Sequence, residues 1–223
     1  GMDRARAGRM SRALAGLRIV VSAGPTYEDI DPVRFIGNRS SGRMGFAVAA
    51  AAARRGADVV LVAGPVHLDT PPGVQRIDVR SAAQMHAAVF AAMPADAYIA
   101  AAAVADYTPR VVAADKLKKN GDTLLVECVR TADILADLGA HALRPRRLVG
   151  FAAETGDLAG YARDKLVRKR LDVIAANRVG QPGSGFESED NALTVYWPDG
   201  EQSLGPAPKP VIAEQLLDLV FAS

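Results

Sequence analysis

A short apolar run, Leu17 to Val21, enters a loop of glycines and hydroxyl residues, and an alanine-rich helical run, Phe46 to Arg55, leaves it. The loop carries Gly24-Pro25-Thr26 and then Gly37-Asn38-Arg39-Ser40-Ser41-Gly42-Arg43-Met44-Gly45. Strand, glycine loop, helix is the order that turns backbone N–H groups and a helix N-terminus toward an anion. This one feature favours an α/β fold and marks its first loop as a phosphate site.

The remaining elements extend the pattern. Asp58–Val62 and Val74–Val79 read as strands, Ser81 caps a helix running to Met93, and Ala97–Ala101 is a fully apolar fourth strand. Alternation of this kind gives a parallel sheet with helices on both faces. Further on, Thr123–Val129 alternates like a half-buried strand, and Ala132–Ala140 is helical. Leu148–Ala152 and Asp172–Ala176 read as buried strands on either side of a basic helix, Asp157–Arg170. Gln181–Gly185 is a flexible loop. Leu193–Trp197 and Gln202–Leu204, joined through Asp199-Gly200, form a hairpin, and Val211–Phe221 closes the chain as a helix. The expected architecture is a three-layer α/β/α Rossmann-like, mainly parallel sheet with a late β-hairpin extension. Residues 1–15 are expected to be a tail or linker, with Gly1 before Met2 read as a cleavage scar, and 16–223 one domain.

The bulk composition narrows the classes. Of 223 residues, 49% are hydrophobic, enough for one large core, and the formal net charge of +2 demands no nucleic-acid partner. No apolar run reaches the roughly 18 residues of a membrane span, and the basic N-terminus lacks the apolar stretch of a secretory signal. The single cysteine, Cys128, excludes an internal disulfide framework and fits a reducing, cytoplasmic setting.

The first loop nearly spells a Walker A sequence, but Arg43 and Met44 stand where that loop needs Lys and a magnesium-holding hydroxyl. Gly37, Gly42 and Gly45 also miss the dinucleotide G-x-G-x-x-G spacing, which argues against an NAD(P)-dependent oxidoreductase. Asp106 follows the fourth strand, at the carboxyl end where open sheets hold ligands. It is placed for a ribose, a base edge or a metal, or simply caps a turn. Lys116-Leu117-Lys118-Lys119 crowds three ammonium groups that require an anion or full solvation. Lys165 and Lys169 share one helix face, with Arg168 in reach of Lys165, a spacing suited to a triphosphate or to plain solvation. Phe151 could stack on a base, and Glu154 could hold a metal or cap the next helix. No Ser-His-Asp set, cysteine nucleophile or metal-type histidine pair stands out. Chemistry without an enzymic nucleophile fits activation by nucleotidyl transfer, where catalysis is positioning and charge stabilisation.

The strings AGPTYEDIDPVRFIGNRSSGRMG, AAAVADY, KLKK, GFAAET, KLVRKRLDVIAAN and FESEDNALTVYW, in this order from about Leu17 to Phe221, closely resemble the phosphopantothenate–cysteine ligase family. In many bacteria this ligase is the C-terminal half of a bifunctional coenzyme A biosynthesis flavoprotein. The resemblance implies an enzyme that uses CTP and Mg2+ to join 4′-phosphopantothenate to L-cysteine. The pantothenate carboxylate attacks the CTP α-phosphate, pyrophosphate leaves, and the cysteine amine then displaces CMP from the acyl-cytidylate.

On that resemblance Asn38 supports turnover of the acyl-cytidylate and Lys116 serves nucleotide binding and the activation step. Ala102 and Asp106 match the nucleotide site. Ala132, Asp133, Ile134 and Leu135 with Phe151 match the cytidine cradle, and Lys165 and Lys169 match the triphosphate lysines. Gly24, Pro25, Thr26, Ser40, Ser41 and Gly42 match phosphate-binding positions. Family members resemble homodimers, paired through the β segment after the basic loop and around the hairpin. The flavin-dependent decarboxylase half has no counterpart here, so no FMN site is expected in this chain. Thr131-Ala132 stands where the family often has Asn-Pro. A catalytically silent nucleotide-binding module is the remaining alternative.

Overall fold

The structure, a computed structural model, describes residues 12–179 and 190–222. The flexible loop expected at Gln181–Gly185 lies outside the described residues. Packing begins ahead of the first strand: Leu14 is buried, and its N–H donates to the Arg55 carbonyl at 2.9 Å.

The central sheet has eight strands among the described residues. At its middle is β1 (Arg18–Ala23), flanked on one side by β4 (Asp58–Ala63) and β5 (Val74–Asp78). On the other side follow β6 (Ala97–Ala100), β9 (Arg147–Glu154), β10 (Val173–Arg178), β11 (Asp190–Trp197) and β12 (Gly200–Pro208). Pairing is parallel from β5 to β10 and antiparallel from β10 through β12, the expected late hairpin. The chain winds outward from β1 through β4 and β5, returns to β6 and winds the other way. The gap between β1 and β6 is therefore a topological switch point, where open parallel sheets bind ligands at their carboxyl ends.

Alternation along each strand divides the core in two. Ile19, Val21 and Ala23 of β1 face α1 (Arg43–Arg54) and α5 (Lys209–Val220), while Val20 faces α2 (Ala82–Ala91), α3 (Ile134–Gly139) and α4 (Leu158–Arg168). Each fully buried Val, Leu or Ile contributes about 1.5–3 kcal/mol of transfer free energy. α1 can lie flush on the sheet because its sheet-facing side is built of small residues, with Gly45 buried and Val48, Ala49, Ala51 and Ala52 inaccessible. Arg55 ties it to α5 through Glu214 and Asp218 at 2.6 and 2.8 Å. Ser81 caps α2 as expected, in a reciprocal capping box with Gln84.

Two elements depart from expectation. The strand expected over Thr123–Val129 shrinks to β8 (Cys128–Arg130), paired with β7 (Tyr107–Pro109). Leu124 and Leu125 are 54% and 95% exposed, so their alternation buries no face, and only the last residues find a partner strand. Conversely, the first loop is partly built: β2 (Tyr27–Asp29) and β3 (Phe35–Gly37) form a small antiparallel hairpin inside it. α1 starts a turn earlier than the apolar run suggested, because Gly42 adopts the left-handed conformation, φ 78°, as its N-cap.

Candidate nucleotide site

At the switch point the carboxyl ends of β1, β6 and β9 open into a cleft of about 520 Å3. Its floor is the Ser22 hydroxyl hydrogen-bonded to the Tyr98 hydroxyl at 2.9 Å. Complete burial pushes the Tyr98 phenol well above its ordinary pKa, and the Ser22 hydrogen bond opposes this only in part. One wall is the segment leaving β6, with Ala102 and Asp106. Beside it, tied by the Thr131 N–H to the Asp106 carbonyl at 2.9 Å, Ala132–Asp133 runs into α3 with Ile134 and Leu135. Phe151 and Glu154 close the β9 side, and Lys165, Arg168 and Lys169 project from α4. Thus Ala102, Asp106, Ala132, Asp133, Ile134, Leu135, Phe151, Lys165 and Lys169, drawn from four separated segments, share one cleft.

The cleft has a built-in charge arrangement. Asp133 caps α3 by accepting from the Ala136 N–H at 3.0 Å, and its other oxygen lies 2.8 Å from Lys169 Nζ. Burial raises the Asp133 pKa. The Lys169 hydrogen bond, the Ala136 N–H and the positive charges of Lys169 and Lys165 outweigh that, so its carboxyl ends below the ordinary value. Lys165 is displaced downward, first by desolvation and second by the Lys169 charge, while Asp133, Glu154 and Asp106 pull it partly back. A half-buried ammonium whose charge is disfavoured gains most when an anion arrives.

The glycine loop does not line this cleft. Gly24 has φ +80° and little room for a side chain beside Val66, and its carbonyl accepts from Ala103 N–H at 2.9 Å. Pro25 makes a bridge to Ala103, and the inaccessible Thr26 accepts from the Ala105 N–H at 2.9 Å. Gly24-Pro25-Thr26 therefore pins the end of β1 to the segment beyond β6. Ser40 and Ser41 accept from the N–H groups of Gly42 and Arg43, shaping the entry to α1, and Asn38 accepts from the Ser40 N–H at 2.9 Å. Asn38 and Lys116 are both exposed and outside the cleft lining.

Residues 14–223 match the family described as the DNA/pantothenate metabolism flavoprotein C-terminal domain. The chain belongs to this family. A curated relative, the coenzyme A biosynthesis bifunctional protein CoaBC of Vibrio cholerae, is 52% identical over 212 residues, covering 94% of this chain and 53% of the relative. The chain spans about half the length of the curated relatives it matches. The solved C-terminal domain of a CoaBC protein superposes with a TM-score of 0.80 at 40% identity, covering 94% of this chain and 96% of that one. A Cab2 variant solved with phosphopantothenate-cysteine shares the fold at a TM-score of 0.75 and 14% identity, covering 99% and 89% of the two chains.

Within this flavoprotein C-terminal domain several site residues carried little or no sequence signal. Tyr98 and Tyr161 join the cleft from elements read only as strand and helix, and Ser22 and Arg130 from positions just past the ends of expected strands. Asp157, not Glu154, caps α4, accepting from the Gly160 N–H at 3.1 Å. Asp31 and Arg34 sit in the β2–β3 turn, where Asp31-Pro32 is the one local cue, a turn-initiating pair. No group of three or more His, Cys, Asp or Glu side chains that could hold a metal occurs among the described residues. Asp106 and Glu154 are single carboxylates at the cleft, a donor set suited to Mg2+ arriving with a triphosphate and not to a preformed metal cage.

Proposed function

We propose that this chain is a ligase that activates the carboxylate of 4′-phosphopantothenate with CTP and joins it to L-cysteine, in coenzyme A biosynthesis. The observation that carries the proposal is the cleft itself. An aromatic face (Phe151), a helix entry (Ala132–Leu135), an acidic group (Asp106) and a cationic helix end (Lys165, Arg168, Lys169) meet at the topological switch point. A base, a ribose and a triphosphate have these needs in this order.

In the proposed reaction Lys165 and Lys169 neutralise the triphosphate, and Phe151 with the α3 entry holds the cytosine. The substrate carboxylate displaces pyrophosphate from the α-phosphate, and the cysteine amine then displaces CMP from the acyl carbon. Lys116 stabilises charge in the first step. Asn38 donates to the developing oxyanion in the second without adding charge. Mg2+, when bound, screens the phosphates, with Asp106 and Glu154 the side chains at hand. In this reading Gly24-Pro25-Thr26 fixes the end of β1 beside the phosphate side of the cleft, and Ser40-Ser41-Gly42 shapes the entry to α1.

A homodimer fits the exposed apolar side chains between β7 and β8, Val111 (76%), Val112 (54%) and Leu125 (95%), with Phe35 and Ile36 on β3 at 44% and 38%. A second copy would cover them, and light scattering on the purified chain tests that. The curated relatives are named as bifunctional and are about twice this length, so a decarboxylase half, fused or associated, is a proposed partner. Among the described residues no helix is long and apolar enough to cross a membrane. The single cysteine and the likeness to coenzyme A biosynthesis proteins support a cytoplasmic placement.

The decisive experiment is pyrophosphate release with 4′-phosphopantothenate and Mg2+, comparing CTP with ATP, with and without L-cysteine. CTP-dependent release that turns over only with cysteine is the expected result. Release with neither nucleotide would leave a silent binding module.

A further inference from the structure

The β2–β3 hairpin grips the basic loop by its backbone. Asp31 is 2% exposed, and its Oδ1 accepts from the N–H groups of Val33 and Arg34 at 2.8 Å each, closing the hairpin turn. Its Oδ2 accepts from Arg34 Nε at 3.0 Å and from the Leu117 N–H at 3.1 Å, across 86 residues of sequence. Arg34 Nη2 in turn donates to the Leu117 carbonyl at 2.8 Å. Both backbone polar groups of Leu117 are thus held by one acid–base pair. A further hydrogen bond, Ala113 N–H to the Ile30 carbonyl at 3.0 Å, lays the approaching segment along the same hairpin.

Leu117 is half-buried between exposed Lys116 and Lys118, so the clamp holds the only anchored residue of a run whose ammonium groups repel one another. Asn38 immediately follows β3. The hairpin itself is fixed to the sheet: Arg80 pairs with Asp29 at 2.7 Å, its guanidinium lies over the stacked Tyr27 and Phe35 rings, and Glu28 is buried against the N-terminus of α2. The hairpin therefore leads directly into Asn38 and holds the backbone next to Lys116, the two groups assigned to the chemistry.

We propose that Asp31 and Arg34 are positioning residues that set Lys116 for the activation step by clamping the Leu117 backbone. The proposal rests on the ligase reading for the role of Lys116. The Arg34 guanidinium and three backbone N–H groups hold the Asp31 carboxyl far below its ordinary range despite its burial, so the clamp stays charged at every pH at which such an enzyme works. The planar guanidinium aims Nε and Nη2 at Asp31 Oδ2 and Nη2 also at the Leu117 carbonyl, a fixed direction that a lysine ammonium lacks.

The test uses Arg34→Met, Arg34→Lys and Asp31→Asn in the full chain, with two readouts. Limited trypsin digestion at Lys116, Lys118 and Lys119 reads the loop without any activity: cleavage there should quicken about tenfold in Arg34→Met and Asp31→Asn. The maximal rate of CTP-dependent pyrophosphate release should fall about tenfold or more, with half-saturation by CTP moving less than about threefold, because the cleft cations Lys165, Arg168 and Lys169, which the clamp does not touch, carry most of the nucleotide docking. Arg34→Lys should restore part of that rate. Trypsin cleavage unchanged in both variants overturns the clamp. Faster cleavage with an unchanged release rate overturns its positioning role, as does a loss of rate that merely tracks a lowered melting temperature with no rescue by lysine. If the wild-type chain releases no pyrophosphate, the ligase reading fails and the digestion still decides the clamp.

Discussion

Lys169 at the end of α4 and Asp133 at the start of α3 form an ion pair of 2.8 Å across the mouth of the cleft. Asp133 occupies, before any ligand arrives, the role a phosphate oxygen would take. An incoming triphosphate must compete with it, so the cationic strength of the site is set by Lys165 and Arg168 together with whatever Asp133 releases. Asp133→Asn keeps a good N-cap for α3 and deletes only the competing charge. It should bind inorganic triphosphate about three- to tenfold more tightly than wild type by calorimetry, with melting temperature nearly unchanged. Asp133→Ala, which also loses the cap, should cost about 1 kcal/mol of stability. Equal or weaker triphosphate binding by the asparagine variant would mean that Asp133 does not restrain Lys169.

Lys165 gives the site a pH signature. Its folded-state pKa is depressed, chiefly by desolvation and then by Lys169, so its charged form is disfavoured before ligand binds. Through the alkaline range between the depressed value and the ordinary lysine value the unfolded chain binds more protons than the folded one. Folding stability contributed by this group therefore rises with pH across that window. Nucleotide binding reverses the shift, since an adjacent phosphate favours the ammonium. CTP binding should take up protons in that window, and affinity should fall as pH rises through it. Calorimetry in two buffers of different ionisation enthalpy reads the uptake, and Lys165→Met should abolish it.

Thr26 separates two roles that its sequence position left confounded. Its hydroxyl is fully buried and is the acceptor for the Ala105 N–H. Thr26→Val preserves shape but leaves that N–H unpaired, at a cost of about 1–3 kcal/mol, while Thr26→Ser should recover most of it. Urea unfolding measures both. If the valine variant keeps full stability and instead loses affinity for CTP, the hydroxyl belongs to the phosphate site and not to the pin.

Thr26 also marks the limit of what the chain states locally. The parallel sheet was legible because its strands are buried on both faces and appear as short apolar runs, such as Ile19–Val21 and Ala97–Ala101. The one-face spacing of Lys165 and Lys169 survives intact, and both reach the same cleft as Asp106 and Phe151. The β2–β3 hairpin was not legible, since three-residue strands are too short to show a period. The clamp was hidden because Asp31 and Leu117 meet only through tertiary contact, and a backbone N–H acceptor leaves no mark on the sequence around its partner. The alternation at Thr123–Val129 misled for the opposite reason: it has the period of a strand and, in Leu124 and Leu125, no surface to cover.

Asn38 tests the division of labour between the two half-reactions. It sits just past β3, exposed, with its side-chain oxygen accepting from Ser40 N–H at 2.9 Å, so the loop shapes the amide's orientation. A carboxylate at the same place could keep that local hydrogen bond while placing negative charge against a developing oxyanion. Asn38→Asp should therefore release pyrophosphate in a single burst close to one equivalent per site and then stall. The phosphopantothenoyl-cytidylate should accumulate, and adduct formation after adding cysteine should slow by about a hundredfold or more, the order seen when one oxyanion donor is lost. Rapid quench with mass detection of the intermediate makes the measurement. Adduct formation at the wild-type rate would remove Asn38 from the second step, and a missing burst would move it to the first.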